Sequence, residues 1–119
     1  MNAVTKAAAD LLTALGTVPD VVAYGDPGES VRPPATVLGP PALTWESLSA
    51  SPTSARWLVY IVVPAEERAL DRLWELVPLV AAAIDQLPDA VVIRADPGAF
   101  LSGAELPCYE LTIEVALNG

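Results

Sequence analysis

Apolar residues at Val4, Ala8, Leu11, Leu12 and Leu15 recur at spacings of three and four, which predicts a helix over residues 2–15. Asn2 stands where a helix N-cap belongs, and Gly16 followed by Pro19 supplies the stop. Residues 20–24 (DVVAY) predict a short strand, closed by the turn material Gly25-Asp26-Pro27-Gly28. Between Gly25 and Arg56 the prolines gather: Pro33-Pro34 and Pro40-Pro41 forbid helix and remove backbone donors. Short strands at 35–39 and 42–46 are therefore expected at a sheet edge or a bulge. Residues 47–55 (SLSASPTSA) are small and polar, and predict an exposed, mobile loop.

From Arg56 onward the pattern is stronger. Residues 57–63 (WLVYIVV) are β-branched or aromatic on both faces, as in a central strand covered on both sides, or by helix on one side and a neighbouring subunit on the other. Pro64 opens a long helix, with Glu66 and Glu67 expected in its first turn. Leu70, Leu73, Trp74, Val77, Val80, Ala81, Ile84 and Leu87 form its apolar stripe, and Pro78 predicts a kink. Residues 90–95 predict another strand, ended by a turn at Asp96-Pro97-Gly98. In 108–117, Tyr109, Leu111, Ile113, Val115 and Leu117 alternate with Cys108, Glu110, Thr112, Glu114 and Ala116, the signature of a half-buried strand. The order points to an α+β single domain: a mostly antiparallel or mixed sheet with two helices packed on one face.

Composition then removes whole classes of chemistry. The 119 residues include 14 Val, 16 Leu and 4 Ile, enough to build a core despite 12 prolines. With no histidine, a Ser-His-Asp or Cys-His mechanism and a His-ligated zinc are out of reach. A single cysteine, Cys108, allows neither an intrachain disulfide nor a cysteine-cluster metal site. Six Lys and Arg against 15 Asp and Glu give a net charge of −9, which is unsuited to gripping nucleic acid. Asp10 interrupts the N-terminal apolar stretch, and no apolar run approaches the roughly 20 residues that span a bilayer. Neither a secretory signal nor membrane association is expected.

Each catalytic motif has a simpler explanation. Gly25-Asp-Pro-Gly-Glu-Ser30 lacks the lysine and following helix of a phosphate cradle. Glu67, Asp71 and Glu75 fall at i, i+4 and i+8, but Arg68 and Arg72 alternate with them. Pairs Arg68–Asp71 and Arg72–Glu75 on a solvated face are expected in place of a cation site. Cys108 has no neighbouring cation to activate it and is expected to be a quiet strand thiol. No catalytic residue, metal site or cofactor is expected. What remains is surface: Glu110 and Glu114 on the outward side of the last strand, and Trp45, Trp57 and Phe100 beside flexible segments. Aromatic residues in such places often anchor subunit contacts, with core burial the alternative for each.

Several local phrases bear a family resemblance. They are Pro33-Pro34-Ala-Thr-Val-Leu-Gly-Pro-Pro41 before Leu43-Thr-Trp45, the strand 57–63, the helix 69–87, Arg94-Ala-Asp-Pro-Gly98, and Pro107-Cys-Tyr-Glu-Leu-Thr-Ile-Glu114. With the element order, and with one lysine against five arginines and 20 alanines, they resemble the tail terminator proteins of long-tailed (siphovirus-type) bacteriophages of actinobacterial hosts. The resemblance covers most of the chain, taken as one domain, 1–119, with the Pro-rich segment 25–56 inserted between strands. It implies a structural virion protein without catalytic residues, assembled in the host cytoplasm. Such a protein forms a homohexameric ring on the head-proximal end of the tail tube, stops tube polymerisation and joins the tail to the head. The implied partners are further copies of itself, the tail tube protein and a head-to-tail connector or neck protein, with DNA passing through without specific binding. A ring that passes DNA should offer few cations to it, so Glu110 and Glu114 are candidates for the lumen. Trp45, Trp57, Phe100, Pro33, Pro34, Pro40 and Pro41 are candidates for subunit or partner contacts, with segments 31–41 and 47–55 expected to order on assembly. The alternatives are another neck or tail-completion protein, or a small dimeric α+β ligand-binding or regulatory module with a pocket between helix and sheet.

Overall fold

The computed structural model describes residues 2–26, 28, 30–46 and 50–117. Pro27, Glu29 and residues 47–49 lie outside the described residues, and with them part of the expected first turn and of the expected polar loop. The chain runs α1 (Ala3–Leu15), β1 (Val22–Tyr24), β2 (Ala35–Leu38), β3 (Ala42–Thr44), β4 (Ser54–Val62), α2 (Ala69–Asp85), β5 (Ala90–Ser102) and β6 (Ala104–Ala116). The fold is α+β, a six-stranded mixed sheet in the order β1-β2-β4-β6-β5. Only β1 and β2 pair in parallel; every other pairing is antiparallel. β3 pairs the first residues of β4, on the margin that β2 occupies further along.

Alternation along β4 decides where the core sits. Ala55, Trp57, Val59, Ile61 and Val63 face the helices and are buried with Leu11 and Leu15 of α1, and Leu73, Val80 and Ile84 of α2. The matching face of β6 contributes Leu111, Ile113 and Val115, as the alternation predicted. Asn2 caps α1 as expected, its side chain accepting the Thr5 N–H at 2.8 Å. Asp20 then takes a left-handed backbone conformation (φ 62°), which Asp tolerates better than most residues, and the chain enters β1.

Several boundaries differ from the sequence expectation, each for a local reason. β2 is not an edge strand: it lies between β1 and β4, and all four of its residues are buried. The prolines flank it instead of interrupting it, so no ladder donor is lost. The expected loop 47–55 is tied down at its end. The Thr53 N–H donates to the Thr44 carbonyl at 2.8 Å, the Leu117 N–H donates to the Thr53 carbonyl at 2.9 Å, and β4 begins at Ser54. α2 begins at Ala69, five residues after Pro64, because the Ala69 N–H bonds the Glu66 carbonyl in a separate turn. Glu66 and Glu67 therefore precede the helix, and Asp71 is the acid in its first turn.

The largest departure is at Asp96-Pro97-Gly98. No turn forms there; β5 runs through to Ser102, and the reversal comes at Gly103 (φ 75°), where glycine relieves the left-handed strain. Pro97 is tolerated because of its register. The Pro107 carbonyl accepts the N–H of Val63, so the backbone groups of Pro107 face β4 and Pro107–Ala99 is a non-hydrogen-bonded pair. Two residues along, Pro97 opposite Tyr109 is in the same class, and its nitrogen faces the free margin where no ladder bond is needed.

Candidate functional site

The sheet face turned away from the helices is built from the alternate residues of β4, β6 and β5, and register stacks them in rows. Arg56, Glu114 and Val91 form one row, Leu58, Thr112 and Arg94 the next, then Tyr60, Glu110 and Asp96, and finally Val62, Cys108 and Gly98. Glu110 and Glu114 thus share this face, as the alternation predicted, and both are half-buried. Arg56 and Arg94, which the sequence reading had not placed there, share it too. Arg56 reaches Glu114 at 3.5 Å, and Arg94 holds Asp96 through two nitrogen–oxygen contacts of 2.7 and 2.8 Å. The face is a mixed, largely compensated charge field with a small acidic excess, and not a uniformly acidic wall. The hydrogen bond from Arg94 holds the Asp96 carboxyl below its usual range and raises the guanidinium in return.

At the hairpin end the same face turns apolar. The β5–β6 arm extends past the residues paired with β4, and Phe100 on it lies against Tyr60, ring centroids 5.4 Å apart. Phe100, Val31, Ala35, Val37, Val62 and Cys108 make a second small core. Burial and the nearby Glu110 carboxylate push the Cys108 thiol up to about 11, so it is a poor nucleophile. Burial, then Glu110 and Cys108, also raise the Tyr60 phenol. Gly98 makes room for this arrangement: a Cβ there would sit 2.9 Å from a Glu110 carboxylate oxygen.

The candidate contact residues divide. Trp57 is 1% exposed at the centre of the main core, and Phe100 is buried in the second one, so neither offers its ring to a partner. Both take the core alternative, because each lies on a covered side of its strand. Trp45 is 50% exposed beside β3, its indole N–H donating to the Ala50 carbonyl at 3.3 Å. Pro40 is exposed, while Pro33, Pro34 and Pro41 are half-buried where β2 enters and leaves the sheet. Segment 31–41 is thus mostly interior, with Val31 and all of β2 buried.

Other exposed apolar side chains escaped the sequence reading. On the β5 margin Val91, Ile93 and Leu101 are exposed, Leu101 by 78%. On the opposite margin Val22 of β1 and Leu43 of β3 join Trp45. On α2, Leu70 and Trp74 are exposed although they belong to the apparent core stripe. The width of that stripe was the available signal, since Leu70, Leu73, Trp74 and Val77 cover more of the helix than one buried face can use. The Ser102-Gly103 dipeptide was likewise a usable turn signal for the hairpin.

Recesses are shallow. One of about 410 Å³ lies between α1 and the base of the hairpin, lined by Leu11, Leu87 and Val115, with Lys6 and Asp10 already paired at 3.0 Å. Among the described residues no group of acids and cysteine is arranged to hold a metal ion, and no helix is long and apolar enough to cross a membrane. On the outer turns of α2, Arg68 pairs with Asp71 as expected, but Arg72 reaches back to Glu66 at 3.5 Å and not forward to Glu75. Compared with known proteins, the chain matches no family model and no curated sequence. The described surface thus combines paired charges on the open sheet face with exposed apolar side chains at separated margins.

Proposed function

We propose that the chain is a structural subunit of a phage tail, closing a ring at the head-proximal end of the tail tube, where it ends tube growth and meets the neck of the head. The observation that carries this reading is the pair of unlike apolar margins on one sheet. Val91, Ile93 and Leu101 lie along β5, and Val22, Leu43 and Trp45 lie along β1 and β3 on the other side. Ring contacts are heterologous and need two different patches per subunit, which side-by-side packing of these margins supplies. Pro97 on the β5 margin and the bulge between Val92 and Arg94 blunt backbone pairing there, so the contacts run through side chains. In such a ring the open sheet face, with Glu110 and Glu114, borders the lumen and the helices lie outside. The arginines on that face are held by carboxylates of the same face, which limits their pull on DNA phosphates.

The test uses single charge substitutions on each margin, Ile93→Lys and Trp45→Lys, with native mass and electron images as readout. The unsubstituted chain, alone or with purified tail tubes, gives six-fold rings, and each variant gives none. Mixing the two variants restores one good contact and yields heterodimers but no rings. A two-fold dimer that each variant abolishes, and that mixing does not restore, overturns the reading. For the lumen, Glu110→Lys with Glu114→Lys retards DNA passage; a ring with both carboxylates on its outer wall refutes that part.

A further inference from the structure

The outer face of α2 carries an apolar row that the fold leaves uncovered. Leu70, Trp74, Pro78 and Ala82 follow one another at i+4 spacing, and all four are exposed, Trp74 by 56%. Trp74 is not a loose surface side chain. Its indole N–H donates to the Tyr109 hydroxyl at 2.9 Å, which fixes the ring over the helix–sheet seam before anything binds. A large aromatic side chain held in place and left half in water is the usual form of a binding anchor, since little rotamer freedom remains to be lost.

Charge beside the row selects the partner. Asp71 and Glu75 follow one another beside it on the helix, and Glu67, in the turn just before the helix, lines the same shallow recess. Asp71 is engaged by Arg68, whereas Glu67 and Glu75 enter no ion pair among the described residues. We infer that this face of α2 docks an amphipathic helix of a different protein, with an apolar row flanked by Lys or Arg. A second copy of this chain does not fit. Five of its six cations, Lys6, Arg56, Arg68, Arg72 and Arg94, are each paired with a carboxylate of the same chain. The sixth, Arg32, lies in the Pro-rich segment and not beside an apolar helix row, and a net charge of −9 brings like charge to the contact. An anionic membrane surface is disfavoured by the same carboxylates. The row contains none of the margin residues Val91, Ile93, Leu101, Val22, Leu43 and Trp45, so the inference does not rest on a ring forming.

Two synthetic helical peptides of equal length test it, one with a Leu row flanked by Lys and one with the same row flanked by Glu. Each is titrated into the full isotope-labelled chain, with nuclear magnetic resonance as readout. The Lys-flanked peptide shifts the Trp74 indole signal and the amides of residues 67–82 saturably, and added salt weakens it. Trp74→Ala lowers its affinity by at least about tenfold. Glu67→Gln with Glu75→Gln, on an exposed surface where folding is not at stake, lowers it by roughly three- to tenfold. Equal binding of the Glu-flanked peptide, shifts confined to another surface, or no saturable shift overturns the inference. So does self-association of the chain alone that Trp74→Ala abolishes, because that assigns the face to a second copy.

Discussion

The two faces of the sheet are made by the same strands and differ only in which alternate residues each presents. Along β4, Trp57, Val59 and Ile61 enter a dry core under two helices, while Arg56, Leu58 and Tyr60 face the other way. On the helix-covered face Thr36 is the one buried polar side chain among the described residues, with its hydroxyl unpartnered, while the Tyr109 hydroxyl at the edge of the core accepts from Trp74. The open face has a buried apolar corner where Phe100 packs with Val31, Ala35, Val37, Val62 and Cys108. Elsewhere it carries the pairs Arg56–Glu114 and Arg94–Asp96 together with Glu110, Thr112 and the exposed Leu58 and Val91. The helix-covered face therefore carries the main core, and the open face contributes a smaller one beside an exposed, charged surface.

Substitutions on each face test that contrast. Trp57→Ala should lower stability most, by about 4 kcal/mol in denaturant unfolding, because the helices and strands around it cannot collapse into the space. Phe100→Ala should lower it by about 3 kcal/mol, since the second core is smaller and its arm can shift. If Phe100→Ala matched or exceeded Trp57→Ala, the open face would be an equal partner in folding and the contrast would fail. Thr36→Val should raise stability by about 1 kcal/mol, because it removes a buried hydroxyl that has no partner.

Cys108 gives a pH test of the buried corner. Its folded-state value is raised from 9.0 to about 11, so the neutral thiol favours the folded state. That contribution is complete below pH 9 and is lost as pH rises towards 11, where the thiolate forms in both states. A Cys108→Ala variant should lack this part of the alkaline loss of stability. An identical alkaline profile in the variant would show that the corner is open to water. The smallest effect belongs to the charged part of the open face. A double-mutant cycle on Arg56 and Glu114, both about half exposed, should give a coupling below about 0.5 kcal/mol.

Much of the architecture was legible along the chain. The capped first helix and the alternation of the last strand rest on periodicity, which survives into three dimensions because each element buries one face. The apolar run at 57–63 is a central strand as expected, but helices cover only one of its sides and Leu58 is exposed on the other. The Pro-rich middle was read less well. Proline reports that a backbone donor is missing but not which way the nitrogen points, so Pro97 suggested a turn although its nitrogen faces an unpaired margin. For the same reason β2 looked like an edge strand although its prolines lie just outside it. On the surface, Glu110 and Glu114 were placed on one face correctly, but the arginines that compensate that face come from β4 and β5. Their approach to one another depends on register, which local sequence does not state.

Local periodicity and the set of side chains present were enough for the fold class, the inward set of the strongest strands and the exclusion of histidine-based chemistry and of an intrachain disulfide. Only the tertiary structure decided that Trp57 and Phe100 are core while Trp74 is surface, and that the two sheet margins are apolar and unlike. It also decided that the outward carboxylates share their face with arginines. The physical reason is that burial and charge pairing are set by neighbours brought from 35 to 58 residues away, as with Trp74 and Tyr109 or Arg56 and Glu114, and not by the residues next in line.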